Sequence, residues 1–306
     1  MTSPRAQRLR VPASTSNVGP GFDAFSIALD LFLEVAWQPA EKTTLVRKGL
    51  LEESPLRLSQ DPIMRGMRRA AILSNKALPA GELTVKADVP PGRGLGLSGA
   101  GLVAGLLLGD RLCGSQLEAQ ELLDEAIDLE GNPENAVGSM LGGAHWSLGA
   151  KGEAWIHHPV PLHRNLRFLL IIPPYPMTTK RSREALPTSV SFQRAMRQAH
   201  RPPILLEGLR SLNPEFIKRG IDDDLHVASR LKLMTGAKAM LDFAYEAGAL
   251  GATLSGAGSA LLVLSRTGEV KNLEARLATR VRRLWGDIGT VVLARANTHG
   301  AKFLRS

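Results

Sequence analysis

The sequence predicts a mixed α+β protein in which two domains enclose one cleft. The chain has 306 residues, and because folded domains usually contain about 100–200 residues, two domains are expected. Segments that alternate apolar and polar residues, as strands do, are interspersed with segments of helical spacing. A polar, turn-rich segment from Gly149 to Val160 separates two such regions. We therefore predict an N-terminal domain over residues 1–160 and a C-terminal domain over residues 161–306.

The N-terminal domain contains both kinds of pattern. Strands are predicted up to Ala13 and over Phe25–Trp37, Leu83–Val89 and His145–Leu148, and helices over Leu102–Leu112, Gln116–Glu130 and Pro133–Gly142. The second of these helices ends at Gly131, since glycine tolerates the left-handed conformation at a helix end. Asn132 is then predicted to cap the next helix, because Pro133 suits its first position.

The C-terminal domain begins with a predicted buried strand. The apolar run Leu166–Ile172 ends at Pro173-Pro174, where proline cannot continue a strand ladder. An arginine-rich stretch follows from Lys180 to Arg201, and helices are predicted from there to about Ala247. A strand is predicted over Ala260–Leu264, and a helix and a strand close the chain.

Composition excludes several classes of protein. With 44% hydrophobic and 22% charged residues, the chain is not a disordered polyelectrolyte. Its one cysteine, Cys113, excludes an intramolecular disulfide and a cysteine-rich metal site, and fits a reducing cytoplasm. The best candidate membrane segment, Leu102–Leu108, is far shorter than the ~20 residues of a span. We therefore expect no membrane partner.

The net charge is +9, from 38 Lys and Arg against 29 Asp and Glu, and it favours anionic partners. Aromatic residues make up only 5% of the chain and do not interleave with basic ones, so no nucleic-acid partner is expected. Arg5, Arg8 and Arg10 open the chain without an acid. Because glycine-dense sequence follows directly, we assign them to a basic first strand rather than to a transit peptide. The sequence leaves open whether the chain forms a homodimer.

A glycine-rich segment follows the strand predicted at Leu83–Val89. Gly94-Leu-Gly-Leu-Ser-Gly99 matches G-x-G-x-x-G, which alone is a weak signal. Dinucleotide binding is disfavoured, because Pro90-Pro91 separates strand from loop and the acids about 20 residues on, Glu118 and Glu121, lie in a helical pattern. Two interpretations stay open: a phosphate-binding loop at a helix N-terminus, and a tight strand-to-helix turn.

Several motifs, taken together, resemble one family. Pro12-Ala-Ser-Thr-Ser-Asn-Val-Gly-Pro-Gly-Phe-Asp23, Pro90–Gly99 and Leu254-Ser-Gly-Ala-Gly258 resemble P-A-x-x-x-N-x-G-x-G-x-D, P-x-x-x-G-L-G-S-S-A and S-G-A-G-P of the GHMP small-molecule kinases. Further motifs are similar to the branch of that family that phosphorylates L-homoserine; they are Glu130–Asn135 with Leu141–Gly143, Thr179–Pro187 and Asp223–Arg230. The resemblance covers nearly the whole chain. It implies the two-domain GHMP kinase fold with an ATP and substrate cleft between the domains.

The resemblance implies ATP and Mg²⁺ as cofactors and L-homoserine as substrate, in a step toward threonine. The residues implied for ATP are Pro90, Pro91, Gly92, Arg93, Gly94, Leu95, Gly96, Ser98, Gly99, Gly256 and Gly258. Those implied for the substrate are Asn17 and Asp23 at its amino and hydroxyl end, and Arg183 and Arg230 at its carboxylate. Ser98 and Glu130 would hold Mg²⁺, because a hydroxyl and a carboxylate suit a hard cation. The residues implied as catalytic are Asp23, which would orient the hydroxyl, and Thr179 and Lys180 near the transferred phosphate.

Each of these residues has a plain structural alternative when considered alone. Ser98 could cap its helix, Asp23 could cap a turn, and Glu130 could be a solvated acid at a helix end. The two implied arginines lie among many others, for which an exposed salt bridge is the usual role. His226 could lie on the face of a helix.

The sequence departs from the family pattern within these motifs. The departures are Ser26 for a glycine, Pro62-Ile63 for an Asn-Leu pair that helps to hold adenine, Leu97 for a serine, Gly99 for an alanine, Asn132 and Glu134 for His and Asp, and Ser259 for a proline. Leu97 cannot donate a hydrogen bond to phosphate. Phosphorylation of L-homoserine is the leading hypothesis. Its alternatives are phosphorylation of another small hydroxy amino acid, and nucleotide or metabolite binding by a catalytically weak relative.

Overall fold

The computed structural model describes residues 5–150 and 153–305, which form two β-sheets covered by helices. The strands are β1 (Gln7–Ser16), β2 (Phe25–Pro39), β3 (Thr44–Gly49), β4 (Gly81–Ala87), β5 (Ala144–Leu148), β6 (Ile156–Pro159), β7 (Leu166–Ile172), β8 (Gly251–Leu254), β9 (Leu261–Arg266), β10 (Thr290–Ala294) and β11 (Lys302–Phe303). The helices are α1 (Pro62–Leu73), α2 (Leu97–Cys113), α3 (Ala119–Glu130), α4 (Pro133–Leu141), α5 (Thr179–Glu184), α6 (Phe192–Ser211), α7 (Pro214–Gly220), α8 (Val227–Leu231), α9 (Ala237–Glu246) and α10 (Val270–Trp285). The predicted α+β class is confirmed.

The first sheet combines strands from the start of the chain with its last strand. The strand order is β11-β1-β2-β4-β3, and β5 extends the sheet by pairing with β2 and β6. Only the pairing of β3 with β4 is parallel among these described strands. Helices α2 and α4 pack on β1 and β2, and α1 and α3 pack against α2. The division of the chain near residue 160 stays a prediction, and β11 joins the first sheet from beyond it.

The second sheet is antiparallel, in the order β10-β7-β9-β8. Alternate side chains of β7 point to opposite faces, and both faces are covered. Leu169 and Ile171 enter a core formed with α9 and α10. Phe168 and Leu170 enter a core that includes Phe25 on β2 of the first sheet. The continuous apolar run of β7 thus reflects burial on both sides and joins the two sheets.

The sequence pattern located many of these elements to within a few residues, and the start and end of α4 are among them. Gly142 ends that helix with a left-handed φ of +74°, as expected. Asn132 lies at the predicted N-cap position before Pro133, but its side chain makes no capping hydrogen bond, and its Nδ2 donates to Glu134 Oε1 at 2.7 Å. Helix α1 and the short strands β3, β6 and β8 were not predicted, and two strands rather than one follow α10. In the part of the chain that the structure describes, no helix has the length and apolarity needed to cross a bilayer.

Candidate active site

A cavity of about 390 Å³ lies where elements of the two sheets meet. Of the residues predicted for the site, its wall includes Asn17, Pro90, Pro91, Gly92, Arg93, Gly94, Leu95, Gly96, Ser98, Glu130, Thr179, Arg183, Arg230 and Gly256. Four predicted residues lie off this wall: Asp23, Gly99, Lys180 and Gly258. One cavity thus collects most of the residues that the motifs implied, from both halves of the chain.

The segment Pro90–Gly96, which we call the glycine loop, packs directly against the second half of the molecule. Gly94 has a left-handed φ of +71°. A Cβ atom at Gly94 would lie 2.1 Å from the carbonyl oxygen of Ser255. Ser255 Oγ donates to the Gly94 carbonyl at 2.7 Å. The glycine is therefore required for close packing of the two loops, which is one of the interpretations left open by the sequence.

The second interpretation concerns the helix that follows. The first hydrogen bond of α2 runs from Ala100 N to Gly96 O at 2.9 Å, so the amides of Leu97, Ser98 and Gly99 have no partner inside the helix. The start of a helix carries about half a positive charge, which favours a phosphate group. The Leu97 side chain packs against the cores, so apolar packing replaces the hydroxyl of the family pattern.

The guanidinium group of Arg93 is bonded to backbone carbonyl groups, two of which belong to the turn after β7. Its Nε, Nη1 and Nη2 donate to the carbonyl oxygens of Pro173, Pro91 and Pro174 at 3.3–3.4 Å. Burial lowers the pKa of Arg93. Although Arg93 lies on the cavity wall, these bonds assign its guanidinium to the turn after β7 rather than to a phosphate.

Ser98 and Glu130 form a pair of oxygen donors beside the start of α2. Ser98 Oγ donates to Glu130 Oε2 at 3.0 Å, and no side chain caps the helix. Burial raises the pKa of Glu130, while the Ser98 hydrogen bond and the charge of Arg65 oppose that shift. Two adjacent oxygens of an octahedral Mg²⁺ site, each ~2.1 Å from the ion, are about 3 Å apart. This donor pair therefore fits Mg²⁺. Among the described residues, no cluster of three or more His, Cys, Asp or Glu offers a metal site made of protein ligands alone.

The turn between β1 and β2 presents two residues in the left-handed region, where Asn and Asp are tolerated. They are Asn17, with φ of +55°, and Asp23, with φ of +53°. Asn17 Oδ1 accepts a hydrogen bond from the Asp23 amide at 2.7 Å. The Asp23 carboxylate accepts two bonds from Arg183, at 2.8 and 3.0 Å. Arg183, which the resemblance implied for the substrate carboxylate, is thus paired with Asp23, which it implied for the amino and hydroxyl end of the substrate.

Helix α5 holds Arg183 over the loop that follows β8. Ser182, in the preceding position, is buried and donates from Oγ to the Ala257 carbonyl at 2.9 Å. Thr179 lies on the cavity wall. Lys180 does not: 87% of its side chain is exposed, and it lies 4.0 Å from Glu184. The arrangement does not support the implied place of Lys180 beside the transferred phosphate.

Glu134 lies on the cavity wall, and the sequence assigned it no role. It is 1% exposed. Its Oε1 accepts from Asn132, whereas Oε2 has no hydrogen-bond partner among the described residues. Burial, followed by the charge of Asp23, raises the pKa of Glu134 to about 7. Because a buried polar atom without a partner costs free energy, Oε2 marks a place for a donor supplied by a ligand.

Arg230 and His226 are both buried. The structural alternative of an exposed salt bridge is therefore wrong for Arg230, and His226 does not lie on a solvent-exposed face of a helix. Arg230 Nη1 donates to the Gly256 carbonyl at 3.2 Å and to His226 Nδ1 at 3.1 Å. Burial lowers the pKa of Arg230 to about 10. Asp23, Arg183 and Glu134 lie close enough to affect that pKa, so two carboxylates and two guanidinium groups share this end of the cavity.

The other end of the cavity is largely apolar and lies at the start of α1. Pro62 and Ile63 are on its wall, with Leu33, Leu51 and Val85. Arg47 Nη2 donates to Asp61 at 2.8 Å, and Asp61 also caps α1 by accepting from Ile63 N at 3.0 Å. The cavity residues that sequence reasoning gave no role include Arg47, Asp61, Arg65, Glu134 and Asn135. Glu134 and Asn135 lie in a quoted motif, whereas the other three carry no sequence signal.

Comparison with known proteins identifies similar sequences over most of the chain. Residues 64–143 match the GHMP kinases N terminal domain, and residues 205–283 match the GHMP kinases C terminal domain. A homoserine kinase of Thermus thermophilus is 37% identical over 264 residues, covering 86% of this chain and 88% of the relative. A homoserine kinase of Prochlorococcus marinus is 34% identical over 270 residues, covering 87% of this chain and 86% of the relative.

Solved structures show the same fold. The crystal structure of a homoserine kinase from Cytophaga hutchinsonii has a TM-score of 0.84 and 23% identity, with 99% of each chain covered. An L. major mevalonate kinase in complex with R-mevalonate has a TM-score of 0.67 and 13% identity, with 95% of each chain covered. These two likenesses show that the chain has the fold of these proteins.

Proposed function

The chain belongs to the GHMP kinase family of ATP-dependent kinases, and from that premise we propose that it transfers the γ-phosphoryl group of ATP to the hydroxyl of L-homoserine. The products are ADP and O-phosphohomoserine. Relatives that are homoserine kinases match most of the chain at 34–37% identity. The proposal assigns this reaction to the cavity between the sheets.

The observation that carries the proposal is the arrangement of charges at one end of the cavity. Asp23 and Glu134 contribute carboxyl groups, and Arg183 and Arg230 contribute guanidinium groups, to one cluster. An α-amino acid brings one ammonium and one carboxylate. We assign the ammonium to Asp23 and to the unpaired Oε2 of Glu134, and the carboxylate to the two guanidinium groups, whose forked donors match that anion. The substrate would then replace the Asp23–Arg183 contact with its own charges.

ATP is assigned to the rest of the cavity. The amides at the start of α2 and the glycine loop would bind the phosphates, and Gly256 would close the site from the other half. The apolar end near Pro62 and Ile63 would hold the base. Ser98 and Glu130 would hold Mg²⁺, which neutralises charge on the phosphate oxygens when it is bound.

The chemistry asked of the protein side chains is chiefly alignment. Phosphoryl transfer proceeds through a loose transition state, so a strongly basic side chain is not required. We assign to Asp23, whose backbone is held by the Asn17 side chain, the orientation of the hydroxyl for in-line attack. Thr179, on the cavity wall, would contact the transferred group. We place the reaction in amino-acid biosynthesis, as a step toward threonine. We place the protein in the cytoplasm, because a single free cysteine is compatible with a reducing compartment.

The test is an ADP-release assay with purified protein, Mg·ATP and L-homoserine, with the product identified by phosphorus NMR. ADP release that depends on L-homoserine, together with a new phosphate monoester signal, is expected. Absence of both, from protein shown to be folded, would refute the proposal. An Arg183→Gln variant distinguishes this activity from a contaminating kinase, because only the protein's own activity would change its KM for L-homoserine.

A second candidate is a kinase for a shorter hydroxy amino acid. It is favoured by Glu134, which is about one methylene longer than the aspartate of the family motif and is directed into the same charged end of the cavity. L-Serine is shorter than L-homoserine by one methylene. If kcat/KM for L-serine exceeds that for L-homoserine in the same assay, the second candidate replaces the first.

A further inference from the structure

We propose that His226 is a positioning residue that holds the guanidinium of Arg230 in place for the substrate carboxylate. The inference rests on the proposed function, in which Arg230 binds that carboxylate. His226 does not lie on the cavity wall, and it acts through Arg230 rather than by touching the substrate. Four features of the molecule support this role: the tautomer of the ring, its burial, the other partners of Arg230, and the contact of the ring with Gly19 on its far side.

The hydrogen bonds of the His226 ring determine its tautomer. Arg230 Nη1 lies 3.1 Å from His226 Nδ1, and because a guanidinium can only donate, Nδ1 must be the acceptor. His226 Nε2 lies 3.0 Å from the Gly19 carbonyl oxygen, and because a carbonyl can only accept, Nε2 must carry the proton. The ring is therefore neutral, with its lone pair directed at Arg230.

The surroundings of the ring maintain this state. The His226 side chain is fully buried, and it stacks on Phe22 with ring centroids 5.0 Å apart. The Arg230 guanidinium also lies over Phe22, 5.0 Å from its centroid. Burial lowers the pKa of His226, although the nearby Asp223 opposes that shift. Asp223 Oδ1 is 3.7 Å from Nε2, beyond hydrogen-bond distance, so the Gly19 carbonyl remains the partner of the ring N–H.

The other bonds of Arg230 show what His226 adds. Nε donates to the Ser182 carbonyl at 3.4 Å, and Nη1 donates to the Gly256 carbonyl at 3.2 Å. Both acceptors are backbone atoms, and both bonds are longer than the bond to His226. Within the described residues, Nη2 makes no hydrogen bond, which leaves it available to the cavity. The imidazole is thus the one side-chain acceptor, among the residues described, that orients the fork of Arg230.

The far side of the ring connects this fork to the other end of the substrate. Gly19 lies in the turn that carries Asn17 and Asp23, both in left-handed conformations. A Cβ atom at Gly19 would lie 2.4 Å from the Ile221 carbonyl oxygen, so this turn is packed tightly against the segment before His226. The ring therefore sets the distance between the group that would bind the ammonium and the group that would bind the carboxylate.

Three substitutions separate the two hydrogen bonds of the ring. His226→Asn places an amide oxygen where Nδ1 was and keeps the acceptor for Arg230. His226→Gln extends an amide to the position of Nε2 and keeps the donor for Gly19. His226→Phe keeps the stacking on Phe22 but removes both hydrogen bonds. We expect KM for L-homoserine to rise about tenfold in the Gln and Phe variants, the value of one hydrogen bond to a charged group, and to stay within about twofold in the Asn variant. KM for ATP should not change.

A second substrate separates positioning from general damage. 3-Aminopropan-1-ol is L-homoserine without its carboxylate, so it cannot use Arg230. If His226 acts through Arg230, the loss in kcat/KM for L-homoserine in the Gln and Phe variants is absent for the amino alcohol. An equal loss for both substrates, or an Asn variant as poor as the Phe variant, would overturn the proposal. His158→Gln, at an exposed histidine on β6, is the matched control and should behave as wild type.

Calorimetric binding of L-homoserine distinguishes this inference from the proposed function. If wild-type protein binds L-homoserine without turnover and the Gln variant binds it about tenfold more weakly, the kinase assignment fails and the positioning role stands. If turnover is present and binding is equal in all the variants, the positioning role fails alone. If wild-type protein neither binds nor phosphorylates L-homoserine, both fail.

Discussion

Two parts of the cavity, one assigned to phosphate and the other to the amino acid, are formed by different kinds of groups. We call them the backbone end and the charged end. At the end assigned to phosphate, the wall is mostly backbone: the glycine loop, the open amides of α2 and the loop after β8. At the end assigned to the amino acid, the wall is made of charged side chains contributed by segments as far apart as Glu134 and Arg230, and Asp23 pairs with Arg183 beside it. The first end should tolerate changes of side-chain charge but no added Cβ atom, and the second end should show the reverse.

The largest expected effect is at the backbone end. Gly94→Ala would place a Cβ atom 2.1 Å from the Ser255 carbonyl, at a φ of +71°, and we expect a loss of about 3 kcal/mol in the free energy of unfolding. The control is Gly114→Ala, where φ is +59° and no atom lies within 4 Å, for which only the conformational cost of about 1 kcal/mol is expected. Urea unfolding measures both. Equal losses would show that the contact between the loops is unimportant.

The next effect is at the charged end. Arg183→Gln removes one of the two groups assigned to the carboxylate and should raise KM for L-homoserine about twentyfold, the value of hydrogen bonds to a charged group at a partly exposed site. KM for ATP should stay unchanged. Arg181→Gln, at an exposed residue of the same helix, is the control for steady-state kinetics. Parallel rises in both KM values would contradict the division of the cavity into two ends.

Metal dependence tests the boundary between the two ends. Glu130→Gln keeps the size of the side chain but removes the anionic oxygen beside Ser98, so the Mg²⁺ concentration for half-maximal activity should rise about tenfold. Glu121→Gln, at an exposed carboxylate near the start of the same helix, should leave it unchanged. A titration of activity with Mg²⁺ at saturating ATP measures the shift. No shift in Glu130→Gln would exclude this carboxylate as a ligand.

The smallest effect is a pH dependence confined to the charged end. The pKa of Glu134 is raised to about 7, so the carboxyl is mostly neutral at pH ~6 and mostly ionised at pH ~8. Because the ionised form attracts an ammonium, KM for L-homoserine should fall about fivefold between these pH values. KM for ATP should not follow it. Glu134→Gln should flatten the profile, and a slope that persists in this variant would assign the titration to another group.

The sequence predicted the backbone end better than the charged end, for a physical reason. Glycines that must adopt a left-handed φ leave a local pattern, and Gly94, Gly96 and Gly256 all have that conformation. An ion pair between distant residues leaves no local pattern in the sequence. Asp23 and Arg183 are 160 positions apart, and Arg47 on β3 pairs with Asp61, the residue before α1, only in the folded structure.

Local rules also failed where a side chain had two competing partners. Asn132 occupies the N-cap position of α4 as predicted, but its side-chain amide donates to Glu134 and makes no bond to the helix amides. Arg93 has the charge expected beside a phosphate, but its guanidinium donates to three carbonyl groups. In both cases the partner that was formed depends on tertiary packing, which a local pattern does not report.

The last strand affects how the molecule is synthesised. Strand β11 covers the outer edge of β1, with Leu9 opposite Phe303 and with Leu304 N donating to the Arg8 carbonyl at 2.8 Å. Ribosomes add about 5–20 residues per second, so that edge stays open for at least about fifteen seconds after it emerges. An open strand edge is a template for pairing between chains. Nascent chains on one messenger therefore share a risk of pairing with each other, which ends for each chain only when β11 has emerged and paired with β1.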